Sequence, residues 1–218
     1  MRAERASRPS RVFLASRNTK KILEMQRILA EHVPDVEVLG IGDVDGYDEP
    51  VEDQPTFAGN ALLKARAGVA ATGLPSVADD SGLCVDALNG MPGVLSARWA
   101  GQDKSDARNN ELLLEQLQDV PDERRGAHFA CVVAWVRPDG TERVVEGRMD
   151  GRIIREQRGS GGFGYDVVFV AQEHAAEGLT SAELEPGEKD RISHRGRALR
   201  ELAPYVAADL TPGSASAD

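Results

Sequence analysis

The chain has 218 residues, 41% of them hydrophobic and 28% charged, and its 36 acidic residues against 26 basic ones leave a formal net charge of −10. That size and mix fit one large domain or two small lobes with ample core. The acidic balance argues against gripping a nucleic acid polymer through its phosphates, yet leaves room for a local Lys/Arg cluster around one small anion. The longest early apolar run, residues 12–15, is too short for a signal core. No segment is expected to span a membrane, so the cytoplasm is the default location. The two cysteines, Cys84 and Cys131, each sit in an apolar run and read as small core residues. Residues 1–10 and 208–218 have little to bury and are expected to be disordered, leaving one domain over 11–207.

Residues 11–15 read as the first strand. Apolar residues at Ile22, Met25, Leu29 and Val33 then mark an amphipathic helix with Asn18 as its N-cap. Between them, Ser16, Asn18 and Lys21 crowd a strand-to-helix turn, where free backbone N–H groups favour an anion. The glycines of a P-loop are missing, and a capped helix with solvated lysines is the plainer alternative. Residues 36–39 form a short strand candidate. The loop after it carries Asp43, Asp45, Asp48, Glu49, Glu52 and Asp53, mostly solvated acids of which one is free to face a metal. Residues 56–72 read as a helix capped by Thr56, with an apolar stripe at Ala58, Leu62, Ala65 and Val69. Asn60 and Lys64, four apart, share a second face. Gly59 stands where a capping box places Glu or Gln, which weakens the helix start by up to about 1 kcal/mol.

Residues 74–85 are the most informative stretch. Val77 and Ala78 suit a buried strand, but Asp79 and Asp80 do not, because a buried carboxylate is costly unless paired or metal-bound. With Ser81 and the turn-permitting Gly82 behind them, they read as a strand edge opening into a site. Such carboxylates suit Mg²⁺, which keeps substrate phosphates and waters as its other ligands. An Asx-type turn with solvated acids is the alternative.

Residues 103–118 read as a helix, apolar at Ala107, Leu112, Leu113 and Leu117. Residues 128–136 are apolar on both alternating faces and read as a central strand. A turn at Pro138-Asp139-Gly140 returns the chain over 141–149 as an antiparallel hairpin. In residues 159–166, four glycines surround Phe163, and a strand over 167–170 follows. Glycine lets backbone approach a ligand closely, so Phe163 is a candidate stacking platform, a flexible hairpin loop being the alternative. Lys189, Ser193, His194 and Arg195 precede a last helix with its stripe at Leu199, Leu202 and Val206. Cations at a helix start oppose the dipole, which points to a compensating external anion or acceptor unless they are ordinary surface charge.

Four blocks together resemble the inosine/xanthosine triphosphate pyrophosphatases, a family that cleanses the nucleotide pool of deaminated purines. They are Leu14-Ala15-Ser16-Arg17-Asn18-Thr19-Lys20-Lys21, Thr56-Phe57-Ala58-Gly59-Asn60-Ala61-Leu62-Leu63-Lys64-Ala65, Ala78-Asp79-Asp80-Ser81-Gly82-Leu83 with Pro92-Gly93 and Ser96-Ala97-Arg98, and Gly161-Gly162-Phe163-Gly164-Tyr165-Asp166 with Glu188-Lys189 and Ile192-Ser193-His194-Arg195-Gly196. The resemblance implies an elongated, two-lobed α/β fold around a long mixed sheet, a nucleotide in the groove, Mg²⁺ dependence and a homodimer. It implies the reaction NTP + H₂O → NMP + pyrophosphate. Ser16, Arg17, Asn18, Thr19, Lys20 and Lys21, with Asn60, Lys64 and Ser81, then fall in the substrate site around the triphosphate. Asp80 is the implied metal ligand and proton acceptor. Phe163 is the implied stacking ring in Phe163-Gly164-Tyr165-Asp166, and Asp166, Lys189, His194 and Arg195 are the implied readers of the base edge. The family often has Glu where Gly59 stands; if that Glu serves the metal or the cap, another acid such as Glu52 substitutes here, as the second metal ligand in the former case. The alternatives are a septum-type pyrophosphatase for modified pyrimidine nucleotides and a non-catalytic nucleotide-binding regulator.

Overall fold

A computed structural model describes residues 10–210. The termini expected to be disordered fall mostly outside that span. Inside it, Ser10 O accepts a hydrogen bond from Glu37 N, and the last helix runs past the expected end at 207 to Leu210.

In chain order the elements are β1 (Arg11–Leu14), α1 (Thr19–Ala30), β2 (Glu37–Leu39), α2 (Phe57–Thr72), β3 (Ser76–Val85), α3 (Asp106–Gln116), β4 (Gly126–Val136), β5 (Glu142–Ile153), β6 (Phe169–Ala171), α4 (Pro186–Ile192) and α5 (His194–Leu210). The strands form one mixed sheet in the order β2-β1-β3-β4-β5-β6. β1 runs parallel to β2 and β3, whereas β3, β4, β5 and β6 are antiparallel to one another. The hairpin read from residues 128–149 is the long β4–β5 pair at its centre.

Side chains alternate faces along a strand, so β3 sends Val77, Asp79, Ser81, Leu83 and Val85 to one side. On that side Val77, Cys131, Val133, Trp135 and Val145 pack with α1 and α5 in one apolar cluster. Leu83, Val85, Phe129 and Met149 pack with Leu113 of α3, Tyr165 and Ile192 in another. Asp79, Ser81 and Gly147 lie in the seam between the two. The opposite side carries Ala78, Val132, Ala134 and Val136 under α2.

Several expectations change. β3 does not end at the acid pair but runs unbroken through ten residues, because β4 pairs with it from Ser76 to Val85. Gly82 makes no turn. It makes room, since a Cβ there would sit 2.4 Å from both Gly93 O and Ser96 Oγ. The opening beside the acids is lateral: β1 pairs with β3 only at Ser76 and Val77, so the β3 edge beyond is uncovered by β1. The buried face of α2 is rotated from the expected stripe to Asn60, Ala61, Lys64, Ala65 and Gly68. Small residues decide this, for a Cβ on Gly68 would meet Phe13 Cδ1 at 2.7 Å, and Asn60 and Lys64 are carried inward with them. Leu113 and Leu117 are buried as expected, but Ala107 is exposed and Asn109 and Asn110 are buried with the leucines instead. The strand expected at 167–170 starts only at Phe169, after a 3-10 turn over Gly164–Val167.

Candidate active site

Where β1 stops, the chain turns into α1. Asn18 caps the helix, its side-chain oxygen accepting from Lys20 N at 3.0 Å and Lys21 N at 3.3 Å, while Asn18 N donates to Ser16 Oγ at 3.1 Å. Two of the N–H groups expected to be free for an anion are therefore satisfied within the turn. Arg17, Thr19 and Lys20 are exposed, and only Lys21 reaches inward, where its Nζ donates to Asp79 Oδ2 at 2.7 Å. From α2, Lys64 Nζ donates to Glu52 Oε1 and, at 2.7 Å, to the backbone oxygen of Asp79. Asn60 Nδ2 donates to Asp80 Oδ2 at 2.8 Å, and Ser81 N to Asp80 Oδ1 at 2.9 Å. Gly59 has a structural use here: Thr56 Oγ1 accepts from its N–H, and a Cβ would lie 2.7 Å from Gln54 Cβ in the loop that delivers Glu52.

The two adjacent acids face opposite sides of the sheet and have opposite electrostatics. Burial raises the carboxyl pKa of Asp80, and Glu52 adds to it, against the Asn60 hydrogen bond and the Lys64 charge. Burial would raise Asp79 as well, but Lys21 and Arg195 outweigh it and hold this carboxyl far below the usual range. Environments that separate two carboxylates in this way separate their roles: Asp79 is a fixed anion, and Asp80 is the group able to take a proton or a cation. Burial would lower the Lys64 pKa, but Glu52, Asp79 and Asp80 raise it, so the ammonium stays charged.

Next to this group, over the second apolar cluster, lies a cavity of ≈ 220 Å³. Its lining includes Ser81, Phe163, Gly164, Tyr165, Asp166, Lys189, His194 and Arg195, so the structure brings this predicted set to one place. The His194 ring stacks on Phe129 at 5.1 Å and 12°. Burial and the Arg195 charge push its pKa down to about 3, so the imidazole is neutral at physiological pH. Its Nδ1 is buried with no hydrogen-bond partner among the described residues. Lys189 Nζ pairs with Asp166 Oδ2, which also accepts from Phe163 N at 2.8 Å. Phe163 is 70% exposed, with Lys189 Nζ 5.0 Å from its ring centre. Tyr165 turns its hydroxyl away to Ser96 O at 2.9 Å and offers its ring as wall.

The cations at the start of α5, expected to point to an external anion or acceptor, have carboxylate partners within the chain. Arg195 lies 3.6 Å from Asp79 Oδ2 and 3.6 Å from Glu24 Oε2, and Lys189 has Asp166. Sequence reasoning missed Glu24, the Phe129 platform under His194, and the clamp on Gly164 made by Asp106 and Asn110. Asp106 Oδ2 accepts from Gly164 N at 2.7 Å, and Asn110 Nδ2 donates to Gly164 O at 2.9 Å. An acid and an amide one turn apart on a helix carry no sequence signal of such a clamp. Glu24, three positions after Lys21 on α1, looks equally ordinary.

A family model described as the Ham1 family matches residues 12–205. The chain belongs to the Ham1 family. A Ham1 relative from Nocardia farcinica, named dITP/XTP pyrophosphatase, is 58% identical over 200 residues, covering 91% of this chain and 96% of that one. Another of the same name from Corynebacterium diphtheriae is 56% identical, covering 90% and 97%. The crystal structure of a nucleoside-triphosphatase / dITP/XTP pyrophosphatase from Mycobacterium abscessus superposes with a TM-score of 0.76 at 54% identity, covering 89% of this chain and 99% of that one. The resemblance read from the four sequence blocks thus stands, and the mixed α/β architecture is that of the Ham1 structures.

Proposed function

We propose that this Ham1 protein hydrolyses the deaminated purine nucleoside triphosphates ITP, dITP and XTP to the monophosphate and pyrophosphate, with Mg²⁺, as a homodimer in the cytoplasm. Among the described residues no helix is long and apolar enough to cross a membrane, and the reading includes neither a membrane nor a nucleic acid polymer as partner. The observation that carries it is the contiguity of two unlike half-sites. At the open edge of β3, Asp80 lies beside Asn60 and Lys64 on the α2 side, and Asp79 holds Lys21 on the other. The partly open cavity lined by His194 and Arg195 adjoins them, and Arg195 Nε lies 3.6 Å from Asp79 Oδ2. A ligand suited to both is polyanionic at one end and planar at the other, which describes a nucleotide.

The half-site at the β3 edge also fits a divalent cation. Asp80 is a half-buried carboxyl whose charge is under-compensated, and Glu52 is close enough to raise its pKa further. Among the described residues no three His, Cys, Asp or Glu side chains form a closed cage, which agrees with Mg²⁺ held by one or two carboxylates plus phosphates and water. Asp80 and Glu52 would hold it, and the ion would supply neutralising charge for the phosphate oxygens.

The protein's own residues do the rest. Lys21 and Lys64 position the triphosphate by charge and read nothing of the base, because point charges on phosphates carry no base information. Asn60 Nδ2 and Ser81 N orient the Asp80 carboxylate, whose raised pKa makes it a better proton acceptor than an ordinary Asp near ~3.9. Phe163 stacks on the base. The forked Arg195 donor matches the O6 and N7 acceptors of hypoxanthine and xanthine, whereas adenine presents a donor in place of O6. Neutral His194, with Nδ1 unpartnered, and Lys189 complete the edge. The test is a panel of initial rates with ITP, dITP, XTP, ATP, GTP and a 5-modified UTP at saturating Mg²⁺. The deaminated purines should be turned over fastest. A preference for the modified pyrimidine would support the septum-type alternative, and binding without turnover would make the protein a regulator.

A further inference from the structure

We propose that Asp79 sets both the base preference and the polyphosphate affinity of the site. It is a positioning residue whose one carboxylate holds the phosphate-end cation and the base-end cation together. The inference rests on the pyrophosphatase reading above, in which Asp79 has no assigned part. Three helices converge on this residue. Lys21 of α1 donates to Asp79 Oδ2 at 2.7 Å, Arg195 of α5 brings Nε to 3.6 Å from the same oxygen, and Lys64 of α2 bonds the Asp79 carbonyl at 2.7 Å. The Asp79 side chain is only 6% exposed, so these charges meet with little water between them.

The geometry gives Asp79 two opposing effects. Arg195 Nε is buried without a hydrogen-bond partner among the described residues, so its guanidinium is aimed by charge from Asp79 and Glu24 rather than locked by a bidentate fork. Removing the Asp79 charge therefore frees Arg195 to turn, and discrimination between bases falls. The same carboxylate offsets part of the charge of Lys21, the cation assigned above to the triphosphate. Removing it leaves a more positive site, and a bare polyphosphate binds more tightly. A residue that merely supports the fold would weaken both when changed. A metal ligand would raise the Mg²⁺ requirement.

The experiment compares the full-length chain with Asp79→Asn and Asp79→Glu. Calorimetric binding of inorganic pyrophosphate, without added metal, should tighten about tenfold or more in Asp79→Asn, as expected for loss of one nearby like charge. The ITP:ATP ratio of kcat/KM should fall about fivefold or more, within the worth of one Arg–base fork. The Mg²⁺ half-saturation should not move. Asp79→Glu keeps the charge and should restore both values towards wild type. If Asp79→Asn does not fold, the charge-balanced pair Asp79→Asn/Lys21→Met is compared with Lys21→Met alone, and the ratio should fall only in the former. Pyrophosphate binding that is unchanged or weaker, an unchanged base ratio, or a raised Mg²⁺ requirement each overturns the proposal. A wild-type protein that does not hydrolyse ITP would instead defeat the functional reading, and the pyrophosphate arm would still judge Asp79.

Discussion

Gly147 is a small residue on which the base half-site depends. It sits on β5 in the seam between the two apolar clusters, where the first turn of α5 rests on the sheet. A Cβ added there would lie 1.9 Å from His194 O and 2.6 Å from Ala198 N, both backbone atoms with no side chain to swing aside. In Gly147→Ala the start of α5 must therefore lift by roughly 1 Å, an overpacking that costs about 1–3 kcal/mol. For a chain of this size each kcal/mol lowers Tm by about 2–4 °C, so the expected loss is roughly 2–12 °C. His194 and Arg195 ride on the displaced turn, and a shift of about 1 Å in a positioning group can cost on the order of 10²-fold in rate. The Asp80, Asn60 and Lys64 group is carried by β3 and α2 and stays in place. Differential scanning calorimetry and kcat/KM for ITP check both halves, with the Mg²⁺ half-saturation as an unmoved control. A Gly147→Ala protein with wild-type Tm and wild-type kcat/KM would refute the claim that α5 is seated through this contact.

Asp80→Asn should fold normally and lose roughly 10²–10⁴ in kcat, as loss of an acid–base or metal-holding group does; near wild-type turnover at saturating Mg²⁺ contradicts its role. Arg195→Ala should lower the ITP:ATP ratio of kcat/KM by roughly 5- to 150-fold, the worth of about 1–3 kcal/mol. Phe163→Ala should weaken binding by a similar energy through lost stacking and leave the ratio nearly constant; the reverse pattern would exchange their roles. His194 predicts an acid limb of stability. Its folded pKa is about 3 against 6.5 for the unfolded chain, so below pH 6.5 the unfolded state takes up the proton first. Stability from this group is complete above pH 6.5 and falls as pH drops towards 3, with a slope approaching about 1.4 kcal/mol per pH unit. Denaturant unfolding between pH 7.5 and 4.5 should show a steeper loss in wild type than in His194→Phe, and parallel curves would remove His194 as the cause.

Much of this was legible in the sequence because local rules act within one element. The Asn18 and Thr56 caps, the β4–β5 hairpin and the α5 stripe all follow from residues near one another in the chain. The placement of Ser81, Phe163, Asp166, Lys189, His194 and Arg195 around one cavity matches a grouping that the sequence blocks implied. What escaped depends on partners far away in sequence. β3 runs straight through two acids because β4 pairs along its whole length, and no feature of residues 76–85 says so. α2 turned its Asn60–Lys64 face inward because Gly68 fits against Phe13, a contact between elements. Asp79 read as a companion of Asp80, although adjacent strand residues face opposite sides and the two acids serve different neighbours. Glu24, Gly147 and the Asp106–Asn110 clamp are each unremarkable until the helix or strand that faces them is known.

The most direct test of the central claim is the product balance with ITP and Mg²⁺. The full-length protein is incubated until part of the ITP is consumed, and IMP, IDP, pyrophosphate and phosphate are quantified together by anion chromatography or ³¹P NMR. One pyrophosphate should appear for each IMP formed, with no IDP, no early phosphate release, and ATP consumed far more slowly under the same conditions. Phosphate with IDP, or equal consumption of ITP and ATP, would contradict it.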